Sequence, residues 1–221
     1  MIYYKYTVKS KHILRRPTME DKYNELHFDV MREIGTIGSG NAMTALSTML
    51  SHPIGITVPT VKTLDYSQVT EDMGGEEKMI VGLLLTLSGD VEGMIMFLLH
   101  KEFSYLMLNA LLGTKIESFE QIDEMGYSAL KEISSIMAAS YVNAISTMTG
   151  LTIKLSTPDI TIDMLGAVLS VPTIYYANIS DKIIFIEGQF DSHGQNMPCH
   201  TLMIPDEVSL NKIMTKLGIE L

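Results

Sequence analysis

Shifted by 99 residues, the chain falls on itself: Glu33-Ile34 lands on Glu132-Ile133, Ile37 on Ile136, Ala45 on Ala144, and Ser47-Thr48-Met49 on Ser146-Thr147-Met148. Further along, Ile54 lands on Ile153 and Pro59 on Pro158. These are nine identities in 27 positions without a gap, more than shared helicity would give. Solenoid units run to about 20–50 residues, so a period this long points elsewhere. It predicts two copies of one unit related by a pseudo-two-fold axis.

The hydrophobic periodicity reads as the same series twice. Leu26, Val30, Ile34 and Ile37 lie on one face of a helix that starts near Glu25, continues through Ala42, Leu46 and Met49, and must stop before Pro53. Strand-like runs follow at Ile54 to Leu64, Lys78 to Leu87 and Val91 to Leu99, with Ser88-Gly89-Asp90 as a hairpin turn. A helix from Glu102 to Leu112 ends at Gly113. The second series has a long helix from Ile122 to Thr149, strands at Leu151 to Ile162, Lys182 to Phe190 and Met197 to Ile204, and a helix from Glu207 to Leu217. The order helix–strand–strand–strand–helix thus occurs twice, over about residues 25–113 and 122–218. Gly35, Gly38 and Gly40 sit inside the first long helix, where each lowers helix propensity but lets another backbone approach.

Charge and composition narrow the function. Hydrophobic residues make up 46% and charged residues 19%, a balance that predicts a packed globular fold. The net charge of −10 repels phosphate backbones, so nucleic acid is not expected as a partner. The single cysteine, Cys199, has no internal disulfide partner and favours a reducing, cytoplasmic setting. No apolar run is long enough to cross a bilayer, and the N-terminus lacks the apolar stretch of a secretory signal. Residues 1–18 differ from the rest: Lys5, Lys9, Lys11, Arg15 and Arg16 come with no acid, which leaves the remainder at about −15. Residues 1–18 read as an extension that adds little to the core, and 19–221 as one domain.

The constellation that carries chemistry lies on the first long helix. Asp29, Glu33 and Thr36 are spaced i, i+4, i+7 and point the same way, off the apolar stripe. An isolated acidic pair of this kind is usually a solvated helix face. Repetition favours a functional reading: Glu132 recurs at the equivalent place, followed three residues later by the hydroxyl of Ser135, and Pro158 mirrors Pro59.

The segments EIGTIGSGNAMTALSTML, EMGYSALKEISSIMAASYVNAISTMTGL and DMLGAVLSVP resemble the signature stretches of CheC-type proteins of the CheC/CheX/FliY group, chemotaxis phosphatases that act on phosphorylated CheY. The family motif is an acid, three residues, Glu, two residues, Asn, twenty-two residues and Pro. Asp29, Glu33 and Pro59 fit it at the right intervals, and the likeness covers roughly residues 20–218. The resemblance implies an α/β (α+β) fold, with strands from both pseudo-symmetric halves forming one sheet and two long helices lying on it, motif faces outward. It implies that the Glu pairs with a lysine of the partner receiver and that the Asn places the water that attacks an aspartyl phosphate. No cofactor of the protein's own is implied; Mg²⁺ is expected on the receiver.

The chain departs from the motif at the Asn. Thr36 stands there in the first copy and Ser135 in the second, where Ser128 also replaces the leading acid. Catalysis is therefore expected at Glu33 and Thr36, with Asp29, Pro59 and Pro158 supporting and Glu132 and Ser135 forming a weaker second site. A hydroxyl accepts a hydrogen bond from water, and Glu-x-x-Thr resembles the pattern by which bifunctional sensor kinases dephosphorylate their receivers. The rival reading is a degenerate relative that docks a receiver, a CheD-like deamidase or a flagellar switch complex without hydrolysis.

Three other features read as structural. Gly35-x-x-Gly38-x-Gly40 lies within a helix rather than between strand and helix, so it is not expected to cradle phosphate. His193, Cys199 and His200 fit no standard metal spacing. The 17 methionines should fill the core, and Asn41 should cap backbone where helices approach.

Overall fold

A computed structural model describes residues 25–51, 55–56, 59–176, 182–192 and 195–219. The extension expected at residues 1–18 lies outside them, as does His193. The first series runs α1 (Glu25–Leu50), β1 (Gly55–Ile56), β2 (Thr60–Asp65), α2 (Tyr66–Asp72), β3 (Met79–Gly89), β4 (Gly93–Leu99) and α3 (Lys101–Leu112). The second runs α4 (Glu124–Thr149), β5 (Ile153–Leu155), β6 (Asp159–Met164), α5 (Leu165–Tyr176), β7 (Lys182–Ser192), β8 (Gln195–Pro205) and α6 (Glu207–Lys216).

The 99-residue offset holds element by element from α1 and α4 to the starts of α2 and α5. Burial repeats too: residues 33–40 and 132–139 share one pattern of exposed, buried and half-buried positions. Each half differs from the sequence reading in two ways. The run expected as one strand is two short ones in each half, β1 and β2, then β5 and β6; in the second the gap ends at Pro158, which has no N–H to give to a ladder. A short helix, α2 or α5, was also not expected. The order is therefore helix–strand–strand–helix–strand–strand–helix.

All strand pairings join antiparallel neighbours in one sheet, ordered β1-β7-β8-β4-β3-β5, with β2 also on β7 and β6 also on β3. The copies exchange strands: β2 of the first pairs with β7 of the second, and β6 of the second with β3 of the first. The exchange obeys the pseudo-two-fold residue by residue. Thr60 faces Glu187 as Asp159 faces Leu84, and Gly55 faces Asp191 as Lys154 faces Ser88. At the centre β4 lies against β8, with Gly93 opposite Pro205 and Leu99 opposite Cys199.

Alternation along the strands makes two cores. Val81, Leu83 and Leu85 of β3 and Ile95 and Phe97 of β4 face the long helices, where Ile34, Leu46, Ile133 and Ile145 complete the larger core. Ile80, Met94, Met96 and Leu98 face the other way, under Val69 of α2 and Val168 and Leu169 of α5. Among the described residues ten methionines are buried, as expected of gap-filling thioethers.

The glycines of α1 do different work from that expected of them. A Cβ on Gly38 would lie 2.8 Å from Cγ of Tyr141, so this glycine receives a ring of α4 rather than a backbone. A Cβ on Gly35 would lie 3.1 Å from Val61 of β2 and 3.4 Å from Ile186 of β7, so this one seats the helix on the sheet. Gly40 has no neighbour within 4 Å of such a Cβ among the described residues. Asn41, expected as a cap between helices, is exposed.

Candidate functional site

The outward face of α1 carries the motif. Its buried positions, Met31, Ile34, Gly35, Gly38, Ala42 and Leu46, recur every three or four residues and turn that side to the core. Asp29, Arg32 and Glu33 are left exposed and Thr36 half-buried. Asp29 does not stand free beside Glu33. Its carboxylate accepts a hydrogen bond from the Arg32 guanidinium one turn on, with the two side chains 54% and 48% exposed. The pairing was legible as opposite charges at i, i+3 but was not expected. The Thr36 hydroxyl donates to the Arg32 carbonyl at 2.8 Å. Its proton is therefore committed to the helix, and its oxygen keeps lone pairs for an outside donor.

On α4 the same hydroxyl geometry recurs. Ser135 donates to the Lys131 carbonyl at 2.9 Å, and Glu132 is exposed. The acid–base pair does not recur, because Ser128 replaces Asp29 and donates to its own helix at the Glu124 carbonyl, 2.9 Å away. The second face thus offers a carboxylate beside Lys131, with no ion pair to Lys131 among the described residues.

Pro59 and Pro158 present no functional group. Both are buried immediately before β2 and β6. Two residues after Pro59 comes Val61, the side chain that meets Gly35, next to Thr36 in the chain. The long spacing between the motif acid and its proline is thus the path from helix to the strand beneath the motif.

The residues flagged as a poor metal set separate across the sheet. Cys199 packs in the larger core, where burial pushes its thiol pKa up. His200, its neighbour on β8, points to the other face and stacks on Phe185 with ring centroids 5.2 Å apart. His100, beyond the end of β4, lies 5.2 Å from His200. Burial, then the charge of Lys78, lowers the His100 pKa to about 4. Burial, then His100 and Lys78, lowers that of His200 to about 3. Sequence reasoning missed this pair, which comes together only through the β4·β8 register.

Against known proteins, the CheC-like family matches residues 26–63 and 125–162, the two copies at the same offset. The chain is similar to CheY-P phosphatase CheC of Bacillus subtilis (strain 168), with 30% identity over 201 residues, covering 89% of this chain and 96% of that one. It is also similar to the flagellar motor switch phosphatase FliY of the same strain, 24% identical over 139 residues and matching 36% of that protein's length. Its fold matches the crystal structure of Thermotoga maritima FliY with a TM-score of 0.69 at 22% identity, covering 89% of this chain and 98% of that one. Among the described residues no helix is long and apolar enough to cross a membrane.

Proposed function

Because the chain belongs to the CheC-like family, we propose that it acts in the cytoplasm, binds a phosphorylated CheY-type response regulator and speeds hydrolysis of the aspartyl phosphate. The first face is the working one. Among the described residues Glu33 is its unshared carboxylate, since Asp29 is held by Arg32, and it pairs with a lysine of the receiver. Thr36 accepts a hydrogen bond from a water molecule and so turns a lone pair of that water toward phosphorus. The water forms a bond to phosphorus as the acyl-phosphate P–O bond breaks. The products are inorganic phosphate and the receiver's free carboxylate. The receiver brings the phosphoryl group, its lysine and Mg²⁺, so this chain has only to position water.

The observation that carries this reading is the Thr36 hydrogen bond. With the proton given to the Arg32 carbonyl, the oxygen is left as an acceptor, the polarity that an attacking water requires.

A second reading is favoured by one observation: neither copy has Asn at the water-placing position, which Thr36 and Ser135 occupy. Under it the same face docks a receiver, a CheD-like deamidase or the flagellar switch without hydrolysis. Phosphate release from the phosphorylated cognate receiver, with and without the protein, separates the two. Thr36→Ala is expected to lose most activity while binding survives through Glu33. Thr36→Asn, which restores an amide with both donor and acceptor, is expected to match or exceed the wild type. Full activity in Thr36→Ala removes the hydroxyl from the mechanism. Binding without turnover in all three proteins establishes the docking reading. Residues 1–18 belong to the proposal as a dispensable extension of a domain spanning 19–221, and their deletion should leave the fold and its melting temperature in place.

A further inference from the structure

We propose that Gly40 is a gap in the first face that lets the receiver's backbone come up against Thr36. The proposal rests on the receiver reading given above and deepens it.

A glycine inside a helix weakens it relative to alanine and calls for a reason. Two reasons operate elsewhere in the chain. Gly35 and Gly38 make room for side chains of the sheet and of α4, and Gly113 and Gly150 end helices with positive φ. Neither applies at Gly40. It lies within α1, which continues to Leu50, and a Cβ there meets nothing within 4 Å among the described residues. The Thr44 hydroxyl donates to the Gly40 carbonyl at 3.1 Å, a bond any residue would accept. Nothing among the described residues asks for glycine at this position, and the receiver's approach would supply the demand.

Its place says what lies outside. Gly40 follows Thr36 by four residues and Glu33 by seven, on the same helix face. Helical side chains lean toward the N-terminus and cover the turn before their own Cα. A side chain at position 40 would therefore lean over Thr36. A water held at Thr36 attacks only when phosphorus lies about 3–3.5 Å away, so the loop bearing the phosphorylated aspartate must approach the helix closely there. Glycine leaves that approach clear. In the second copy the equivalent residue is Ala139, beside the weaker Ser135.

The test uses Gly40→Leu in the full chain, with the cognate CheY-type receiver phosphorylated by acetyl phosphate. Leucine is a strong helix former placed in empty space, so the melting temperature should hold or rise. Phosphate release should fall at least tenfold in kcat/KM, with KM rising more than kcat falls. Ala139→Leu, the same change on the second face, should hold the melting temperature and lower kcat/KM clearly less. Should leucine lower the melting temperature, Gly40→Gln, a polar helix former of similar length, carries the same expectation. Wild-type turnover in a folded Gly40→Leu or Gly40→Gln protein overturns the proposal and leaves the phosphatase reading standing. A wild type that neither binds nor dephosphorylates the receiver overturns the phosphatase reading itself, and this proposal with it.

Discussion

The two motif glutamates sit in the same pattern of burial but in different company. Glu33 follows an arginine already neutralised by Asp29, whereas Glu132 follows Lys131, which has no acid across the turn because Ser128 stands there. On the proposed receiver reading, Glu33 then offers a net negative charge to the receiver's lysine, and Glu132 one half-compensated by its neighbour. Glu33→Ala should weaken receiver binding about tenfold, and Glu132→Ala clearly less, as read by titration of the labelled receiver. Both side chains are exposed, so melting temperatures should not move. Equal losses would mean that the two faces work alike. Away from the motif, His100 and His200 make stability depend on pH. Their folded pKa values of about 4 and 3 lie below the ordinary 6.5. The unfolded chain thus takes up protons that the folded one refuses, and stability present above pH 6.5 drains away as pH falls toward 4. The slope approaches roughly 1 kcal/mol per pH unit for each histidine. Melting temperature measured from pH 7.5 to 4.5 should fall through this window, and His200→Leu should flatten the curve. The motif could be read from sequence because i, i+3 and i+4 neighbours on a helix are fixed by local geometry. The histidine pair could not, because it exists only once Leu98 is placed opposite His200.

Helices α1 and α4 are held together by a contact of unequal parts. Gly38 on one receives Tyr141 on the other, and the buried Tyr141 hydroxyl lies 3.3 Å from Thr201 Oγ1 on β8. Gly38→Ala drives a methyl group into the ring and must separate the helices or displace the tyrosine. Overpacking of this kind costs about 1–3 kcal/mol, which denaturant unfolding would register as a lower midpoint at constant m. Combining it with Tyr141→Leu should recover part of the loss. An additive double mutant would show that the two residues do not meet. The long helices were plain in the sequence, each 26 residues long, but the buried stripe of α1 runs through Met31, Gly35 and Gly38, leaving Leu26 exposed and Val30 and Ile37 half-buried against expectation. The short helices were not plain. Helix α2 has only seven residues, and α5 is apolar nearly all round with Pro172 inside it, so neither shows a helical period. Buried on the sheet's second face at Val69, Val168 and Leu169, they owe their form to tertiary packing that local propensity does not encode.

Duplication in sequence predicts two copies, yet the copies are not two separable units. Within the first series, β3 and β4 pair with each other, but β3 is flanked on its outer side by β5 and β6, and β4 on its inner side by β8, all from the second. Its β1 and β2 have lost their own copy entirely and lie on β7. Helix α1 is seated partly on Val61 of its own series and partly on Ile186 of the other. A chain cut to residues 25–113 would thus keep a single hairpin, with both edges of β3 and β4 unpaired, two short strands without a partner, and the apolar stripe of α1 half uncovered. A lone hairpin is marginal in water even before such exposed surface is added. We expect residues 25–113 and 122–218, made separately, to lack cooperative unfolding and dispersed amide spectra. Mixed or produced together, they should assemble with one-to-one stoichiometry, because every exchanged strand then finds its register. In the intact chain the same exchange should make thermal unfolding a single transition, with calorimetric and van't Hoff enthalpies equal. A half that folds alone, or two resolved transitions in the whole protein, would show that each copy carries a sufficient core and that the strand exchange only decorates it.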